Sequence, residues 1–465
     1  MNKIKILSVL SLLLLLNACG DDLDDNLQPS SNVEIADFIY RGLNFWSIYK
    51  EDVPDLANDR FDSDSERNEF LSQFGTPEEA FEALLSERDR FSILRSDFIE
   101  LENALAGIRV SSGMRFSLFR QPNQSDLVFG VVRFVFNDGP ARDAGVQRGM
   151  IFTGIDGSPL TTVSDLGAIF AQPSFTIDLA TYDGTDFTST GESILLNQVE
   201  LNINPVHIAR TLTIEGQNIG YLHYTGFTNE FDPQLNAAFG QFQADGISDL
   251  ILDLRHNGGG SIETANDLSS MITGQFNGQT FITQRYNEDR DAEFARARTF
   301  NNEIGGGEQI NSLGLNRLFV LTTENTASSS ELILSGLDPY IDIIQIGTNT
   351  SGKFEGSFLL YDAPPPFFRR EDASSGHRFV MLPLVLRSVN ANGLTDYFDG
   401  FTPDVEIAED VFNLGQLGDV NEPLLAAALN EIFPGRQSRD YNIEKRTSNY
   451  ESDENDLLYQ LMISE

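Results

Sequence analysis

The spacing of apolar positions changes along the chain, and each change marks a different kind of element. From Val33 to about Ala106 the apolar residues recur at helical spacing, as in "VEIADFIYRGLNFWSIY" and "TPEEAFEALLSERDRFSIL", which predicts a small helical domain over residues 33–108. Thr76-Pro77-Glu78-Glu79 opens one helix with a capping hydroxyl, a proline in the first turn and acidic charge at the positive end of the dipole. Trp46 and its aromatic neighbours are assigned to the core of that domain. Over residues 109–200 the pattern becomes short β-like runs broken by Gly, Asp and Pro, a β-rich domain. Over residues 201–430 apolar strands such as "DLILDLR", "RLFVLTT" and "IDIIQIG" alternate with helical stretches such as "TANDLSSMITG", which predicts an α/β layer. Residues 431–465 are polar and are expected to be peripheral, and no internal repeat is found.

Composition narrows this picture. A length of 465 residues with 40% hydrophobic content and 35 Phe supports several packed cores. A formal charge of -39 with no Lys/Arg block excludes nucleic acid as a partner, because a phosphate backbone would be repelled. Residues 1–18, "MNKIKILSVLSLLLLLNA", carry Lys3 and Lys5 ahead of an apolar run too short to span a bilayer, which reads as a secretory signal. Its end, Leu16-Asn17-Ala18-Cys19, resembles the bacterial lipobox. That resemblance implies cleavage before Cys19, lipidation of its thiol and a lipoprotein anchored in the outer membrane, facing the periplasm or the cell surface. Residues 19–32 are acidic and then Pro/Ser-rich, a solvated tether. Cys19 is the only cysteine, so neither an internal disulfide nor a cysteine-based zinc site can form.

Three stretches carry candidate chemistry. "DLILDLRHNGGG", residues 249–260, is a buried strand ending in three glycines, whose amides could approach a ligand closely. "RLFVLTTENTASSSELILSGL" is a strand, a polar turn and a helix, placing Ser328, Ser329 and Ser330 at the carboxyl end of a strand, where α/β active sites collect. Ser328 to Glu331 also reads as a capping box, which accounts for the string without any chemistry. "GTNTSGKFEG", residues 347–356, follows another strand and holds Lys353, a base for a serine nucleophile once burial lowers its pKa. The same string satisfies the first part of a P-loop pattern, but Phe354 cannot supply the magnesium-binding hydroxyl. Of the four histidines, His207, His223, His256 and His377, only His256 lies near these motifs in sequence, which leaves a serine-histidine pair as an alternative.

Within the β-rich stretch, "DGPARDAGVQRGMIFTGIDG" resembles the middle of a PDZ domain through Pro140, Ala141, Ala144, Gly145, Gly149, Ile151, Ile155 and Gly157. The resemblance implies that an extended peptide adds to a sheet edge near Gly113, Met114, Arg115 and Phe116, with Arg115 standing where the family has a small residue and able to pair a carboxylate. Taken together, the motifs resemble the carboxyl-terminal processing peptidases, or tail-specific proteases. Asp253-Leu254-Arg255, Asn257, Gly259 and Gly260 match "DLRxNxGG"; Thr326-Ala327-Ser328 with Ser330-Glu331 match "TASxSE"; Gly347, Thr350, Gly352 and Lys353 match "GxxTxGK", with Lys353 25 residues after Ser328. "GFTPDVEI", residues 400–407, is similar to the family's segment near the end of the catalytic domain. The resemblance covers about residues 109–430 and implies a ClpP/crotonase-like α/β core beside the PDZ-like and helical domains.

By the same resemblance Ser328 is the nucleophile, Lys353 its general base and Glu331 the acidic residue that helps position the lysine. The amides of Ser329 and Gly259 form the oxyanion hole. Ser329 replaces the family's usual Ala, and Phe354-Glu355 stands where Gly is more common after the lysine. The implied function is cleavage of exported polypeptides, with C-terminal tails delivered by the PDZ-like domain, and with no metal or cofactor. The alternative is a catalytically inactive peptide-binding scaffold on the same fold.

Overall fold

The computed structural model describes residues 29–435, 443 and 446–464. The signal, Cys19 and most of the tether lie outside the described residues. The chain divides into two compact units, one running up to Phe98 and including Leu359–Pro383, the other comprising Ile99–Phe358 and the chain from Leu384 onward.

The first unit contains the expected helices Asn32–Trp46, Asp64–Leu71 and Pro77–Ala83. Thr76 caps the last of them by accepting from the Glu79 amide, with Pro77 in its first turn. Trp46 is buried and its indole N–H donates to the Pro366 carbonyl at 2.8 Å, a core position. Sequence spacing does not reveal that this unit also takes in Leu359–Pro383. Strands Ile93–Arg95 and Leu360–Tyr361 both pair antiparallel with Val380–Leu382 there, and buried Phe38, Leu43 and Phe368 lie in the same unit. The helical domain expected over 33–108 is therefore shorter at its end and partly β.

The second unit begins with the β-rich segment. Strand β1 (Met114–Gln121) pairs with Gln124–Val135, and the sheet continues through Ile151–Ile155, Ser174–Tyr182 and Phe187–Asn197. Phe116, Leu118, Val132, Phe152 and Ile177 fill its core, and the short helix α1 (Leu166–Phe170) packs against them. Next comes a six-stranded sheet in the order Val206–Ile214, Gln217–Tyr224, β2 (Asp249–Asp253), then Arg317–Thr322, Asp342–Gly347 and Val405–Glu406. All its pairings after the first are parallel. Asp249–Asp253 is buried at every position, as a near-continuous apolar run in a parallel sheet requires.

A second six-stranded sheet carries the loops that follow those strands. It contains β3 (Gly260–Ser261), β4 (Glu355–Ser357), Leu384–Asn390, Thr280–Arg285 and Arg296–Thr299. Its remaining strand is β6 (Met462–Ile463), inserted parallel between β3 and β4, while β5 (Tyr450–Glu451) pairs antiparallel with β1. The tail expected to be peripheral is thus built into two sheets. Its strands are only two residues long, too short for a period-two pattern to register.

Candidate active site

The strand Arg317–Thr322 ends in a turn, and the helix Ser329–Leu337 starts immediately after Ser328. Ser328 has φ +64 and ψ -119, a backbone conformation that is costly for a residue with a Cβ and that recurs at functional turns. The three serines have different fates. Ser329 Oγ donates to the Gly260 carbonyl at 2.8 Å and Ser330 Oγ donates to the Asn257 carbonyl at 3.0 Å, docking the glycine loop onto the helix start. Ser328 Oγ is buried and has no hydrogen-bond partner among the described residues. An orphaned buried hydroxyl beside two satisfied ones calls for an explanation, and a reacting atom held ready is one.

The anticipated capping box has its firm bond on the Glu331 side, where the Ser328 amide donates to Glu331 Oε2 at 2.8 Å. The same Oε2 accepts from the Lys353 amide at 2.9 Å, and Oε1 accepts from Thr350 Oγ1 at 2.6 Å and the Gly352 amide at 2.7 Å. Glu331 therefore ties the backbone of the serine turn to the backbone of the lysine loop. Burial pushes its carboxyl upward, and these four donors oppose that rise. Glu331→Gln would set an NH2 against two of the donors, so we expect a loss of about 1–3 kcal/mol of stability. A displacement of either loop by about 1 Å should lower kcat about 10²-fold with KM little changed. Unfolding curves and steady-state kinetics of this variant check both.

Lys353 is fully buried, and its Nζ donates to the Gln460 carbonyl rather than to Ser328 Oγ. Gly352 supplies the φ of +84 that the loop needs, and a Cβ there would meet the Phe398 carbonyl at 2.1 Å. The glycine loop packs equally closely. Gly259 (φ +113) has room for no side chain, since a Cβ would lie 2.6 Å from Ser328 Cβ and 2.5 Å from the Leu461 carbonyl. Gly259→Ala should cost about 1–3 kcal/mol through overpacking and displace Ser328. Cleavage lost from a cooperatively folded variant is the expected outcome, and unchanged cleavage would count against this geometry.

Of the two amides anticipated for an oxyanion, the Gly259 N–H donates to Asn257 Oδ1 at 2.9 Å, and it is the Gly260 N–H that donates to the Leu461 carbonyl at 2.7 Å. Ser329 is the first residue of its helix and contributes its amide to that helix's positive end. His256 lies beside the glycines, but its Nδ1 is shared with His223 Nε2 at 3.1 Å, and burial depresses both rings well below the usual histidine range. It makes no hydrogen bond to Ser328.

Arg255 of the strand-loop motif is fully buried. It donates to Asp253 at 2.9 Å, to both Glu422 oxygens at 2.6 and 3.0 Å and to Glu409 at 3.2 Å, while Arg133 and Arg148 also pair Glu409. Burial raises Asp253 even beside Arg255; on Glu409 burial is outweighed by its three arginines, which hold it well below the carboxylate range. Sequence reasoning missed Glu409 and Glu422, which lie 154 and 167 residues from Arg255. The only available signal was a buried-motif arginine in need of carboxylates.

The anticipated peptide-binding residues are placed as follows. Met114 and Phe116 are buried in the β-rich core, and Gly113 holds the turn before β1 with φ +83. Arg115 pairs two carboxylates of the chain itself, Asp453 at 2.5 Å and Asp456 at 3.0 Å.

A strained, unpartnered serine tied through one carboxylate to a buried lysine, on the loops of a largely parallel sheet, is an arrangement suited to nucleophilic hydrolysis. The model of Peptidase family S41 matches residues 218–360, and that of the Peptidase S41 N-terminal domain matches residues 34–93. Both matches are to peptidase family S41, and the mixed α/β sheets are similar in fold to a solved structure assigned to that family.

A crystal structure of a Bacteroides fragilis protein assigned to the S41 proteases shares 25% identity with a TM-score of 0.69, covering 85% of this chain and 96% of that one. The photosystem II D1 C-terminal processing protease superposes at a TM-score of 0.50 and 19% identity, covering 86% of this chain and 98% of that one, a likeness of fold. Among curated relatives, the chloroplastic C-terminal processing peptidase of Tetradesmus obliquus is 26% identical over 46% of this chain. The carboxyl-terminal-processing protease of Synechocystis is 23% identical over 69% of it. The chain spans 46% of the algal relative's length and 68% of the cyanobacterial one's.

Proposed function

We propose that this protein is a serine-type endopeptidase of the carboxyl-terminal processing kind, acting on polypeptides through a Ser328–Lys353 dyad. The observation that carries this reading is Glu331 Oε2, which accepts from the backbone amides of both Ser328 and Lys353 and so ties the turn that carries the unpartnered hydroxyl to the loop that carries the buried lysine. Neutral Lys353 takes the Ser328 proton as Oγ bonds to the scissile carbonyl carbon. The resulting ammonium then returns that proton to the departing amine. Water, deprotonated by the same amine, frees the acyl group and restores Ser328. Helix-end amides, Ser329 among them, face the developing oxyanion. Gly259 supplies the second donor once its N–H turns from Asn257; otherwise the Gly260 N–H takes that place.

The β-rich segment serves as a PDZ-like module presenting C-terminal tails, and the core is of the ClpP/crotonase-like kind. Export, and anchoring to the outer membrane through a lipidated Cys19, complete the proposal. Cleavage of a reduced, unfolded protein by the wild type, absent in Ser328→Ala, tests it; equal cleavage by that variant would refute the mechanism and leave a peptide-binding scaffold.

The rate should also depend on pH in one direction. Only the neutral amine can take the Ser328 proton, so kcat/KM should rise with pH as Lys353 loses its proton and then level off. A flat profile, or one falling with pH, would count against an amine base.

A further inference from the structure

The chain's own C-terminal segment follows a path that a substrate would be expected to take. Residues 449–452 add to the open edge of β1: Tyr450 lies opposite Leu118 and Glu451 opposite Ser117, antiparallel. The Asn449 amide donates to the Leu118 carbonyl at 2.8 Å, and the Phe116 amide donates to Ser452 Oγ at 3.0 Å. The Tyr450 ring stacks on Phe170 of α1 with centroids 5.9 Å apart and planes at 16°, and tilts against Phe116 at 6.1 Å. An extended segment on a sheet edge with a side chain seated between strand and helix is peptide recognition by strand addition.

Two acidic residues come next. Asp453 pairs Arg115, and Asp456 pairs both Arg115 and Arg109, with all four side chains largely buried. Burial would raise the Asp456 carboxyl, but Arg109 and Arg115 bring it below its usual value. The segment then enters the catalytic groove. The Gln460 carbonyl accepts from Lys353 Nζ, the Leu461 carbonyl accepts from the Gly260 amide, and Met462–Ile463 lie as β6 between β3 and β4. The Ser464 amide donates to the Ser357 carbonyl at 3.0 Å. Leu461, Met462 and Ile463 are all at most 4% exposed. The backbone carbonyls of this segment therefore engage the base and the glycine loop, where a substrate's carbonyls would lie.

We propose that the edge of β1, the Arg109–Arg115 pair and the β3/β4 groove form one continuous peptide site, that residues 449–464 are its resting occupant, and that incoming polypeptides carry the same signature: an aromatic residue, then acidic residues, then an apolar stretch. This rests on the peptidase reading for what happens after binding, though the binding itself does not depend on it. The occupant is covalently attached, so it competes at a high effective concentration. It also accounts for the bond from Lys353 Nζ to the Gln460 carbonyl in place of one to Ser328 Oγ. A cleft of about 690 Å³ lined by Ser112, Met114, Phe170 and Tyr450 remains beside the occupant and gives a competing chain a place to begin exchange.

The test uses the full chain in a Ser328→Ala background, so that nothing is cut, and a fluorescent synthetic peptide of residues 449–464 as the probe, followed by anisotropy. Weakening the internal copy with Tyr450→Ala, Asp453→Asn and Asp456→Asn should tighten probe binding at least tenfold. Adding Arg109→Ala and Arg115→Ala should abolish that gain. Asp456→Asn alone, a change that leaves the tail strands intact, should give a smaller tightening. Equal probe affinity in the parent, the triple variant and the single variant would overturn the proposal. The same tail substitutions with Ser328 restored separate the two readings. Faster cleavage of an unfolded protein supports both, whereas tight probe binding without any cleavage leaves the peptide site standing and removes the peptidase reading.

Discussion

Lys353→Met should abolish cleavage while the protein stays folded. Methionine nearly matches the length of the lysine stem and suits a site with 0% exposure, so the volume is kept and an ammonium's burial cost disappears. What is lost is the proton acceptor. General-base catalysis contributes about 10²–10⁴-fold, and a serine without a base is a weak nucleophile, so kcat should fall by about 10³-fold or more. The lost bond from Nζ to the Gln460 carbonyl should at the same time loosen the C-terminal segment, so KM should not rise. A Lys353→Met protein with kcat within tenfold of the wild type would mean that another group activates Ser328.

The largest effect on stability is expected from Arg255→Ala. The guanidinium faces Asp253, Glu409 and Glu422 with no exposure to water. Removing one partner from a buried ionic cluster typically costs about 3–5 kcal/mol, because the remaining charges stay behind unpaired. Glu409 keeps Arg133 and Arg148, so the burden falls on Asp253 and Glu422. The sign of the pH dependence follows from Asp253, which burial raises even beside Arg255: without the arginine it is easier still to protonate, so the deficit should be largest near neutrality and shrink as pH falls into the carboxylate range. Chemical unfolding of the variant against the wild type at two pH values reads this directly. A loss below about 1 kcal/mol near neutrality would mean the cluster is solvated in solution.

How much of this could be read from the sequence depends on how local the signal is. The serine turn, the lysine loop and the glycine strand-loop are each contiguous motifs, so the stretches that the fold brings together at Glu331 could be marked from sequence alone. That Ser329 and Ser330 turn their hydroxyls to the Gly260 and Asn257 carbonyls was not, because it depends on where a loop 69–73 residues away comes to lie. The direction of the Gly259 amide was likewise hidden: it follows from a φ of +113 that only glycine accepts comfortably. Arg115 was legible as a partner for a carboxylate. Which carboxylate was not, since Asp453 and Asp456 sit in a stretch whose polarity reads as solvated chain. Glycine motifs declare themselves in sequence; a two-residue strand held by partners three hundred residues away does not.

The central claim is that one hydroxyl among three adjacent serines is the nucleophile and that Lys353 activates it. Reaction with a fluorophosphonate near pH 8, followed by digestion and peptide mass mapping, tests it most directly, in the wild type and in the Asp453→Asn/Asp456→Asn variant with its weakened occupant. The account predicts a single adduct on Ser328 in both, faster in the variant, and none in Lys353→Met over the same time. An adduct on Ser329 or Ser330, or labelling of Ser328 at an undiminished rate in Lys353→Met, would contradict it.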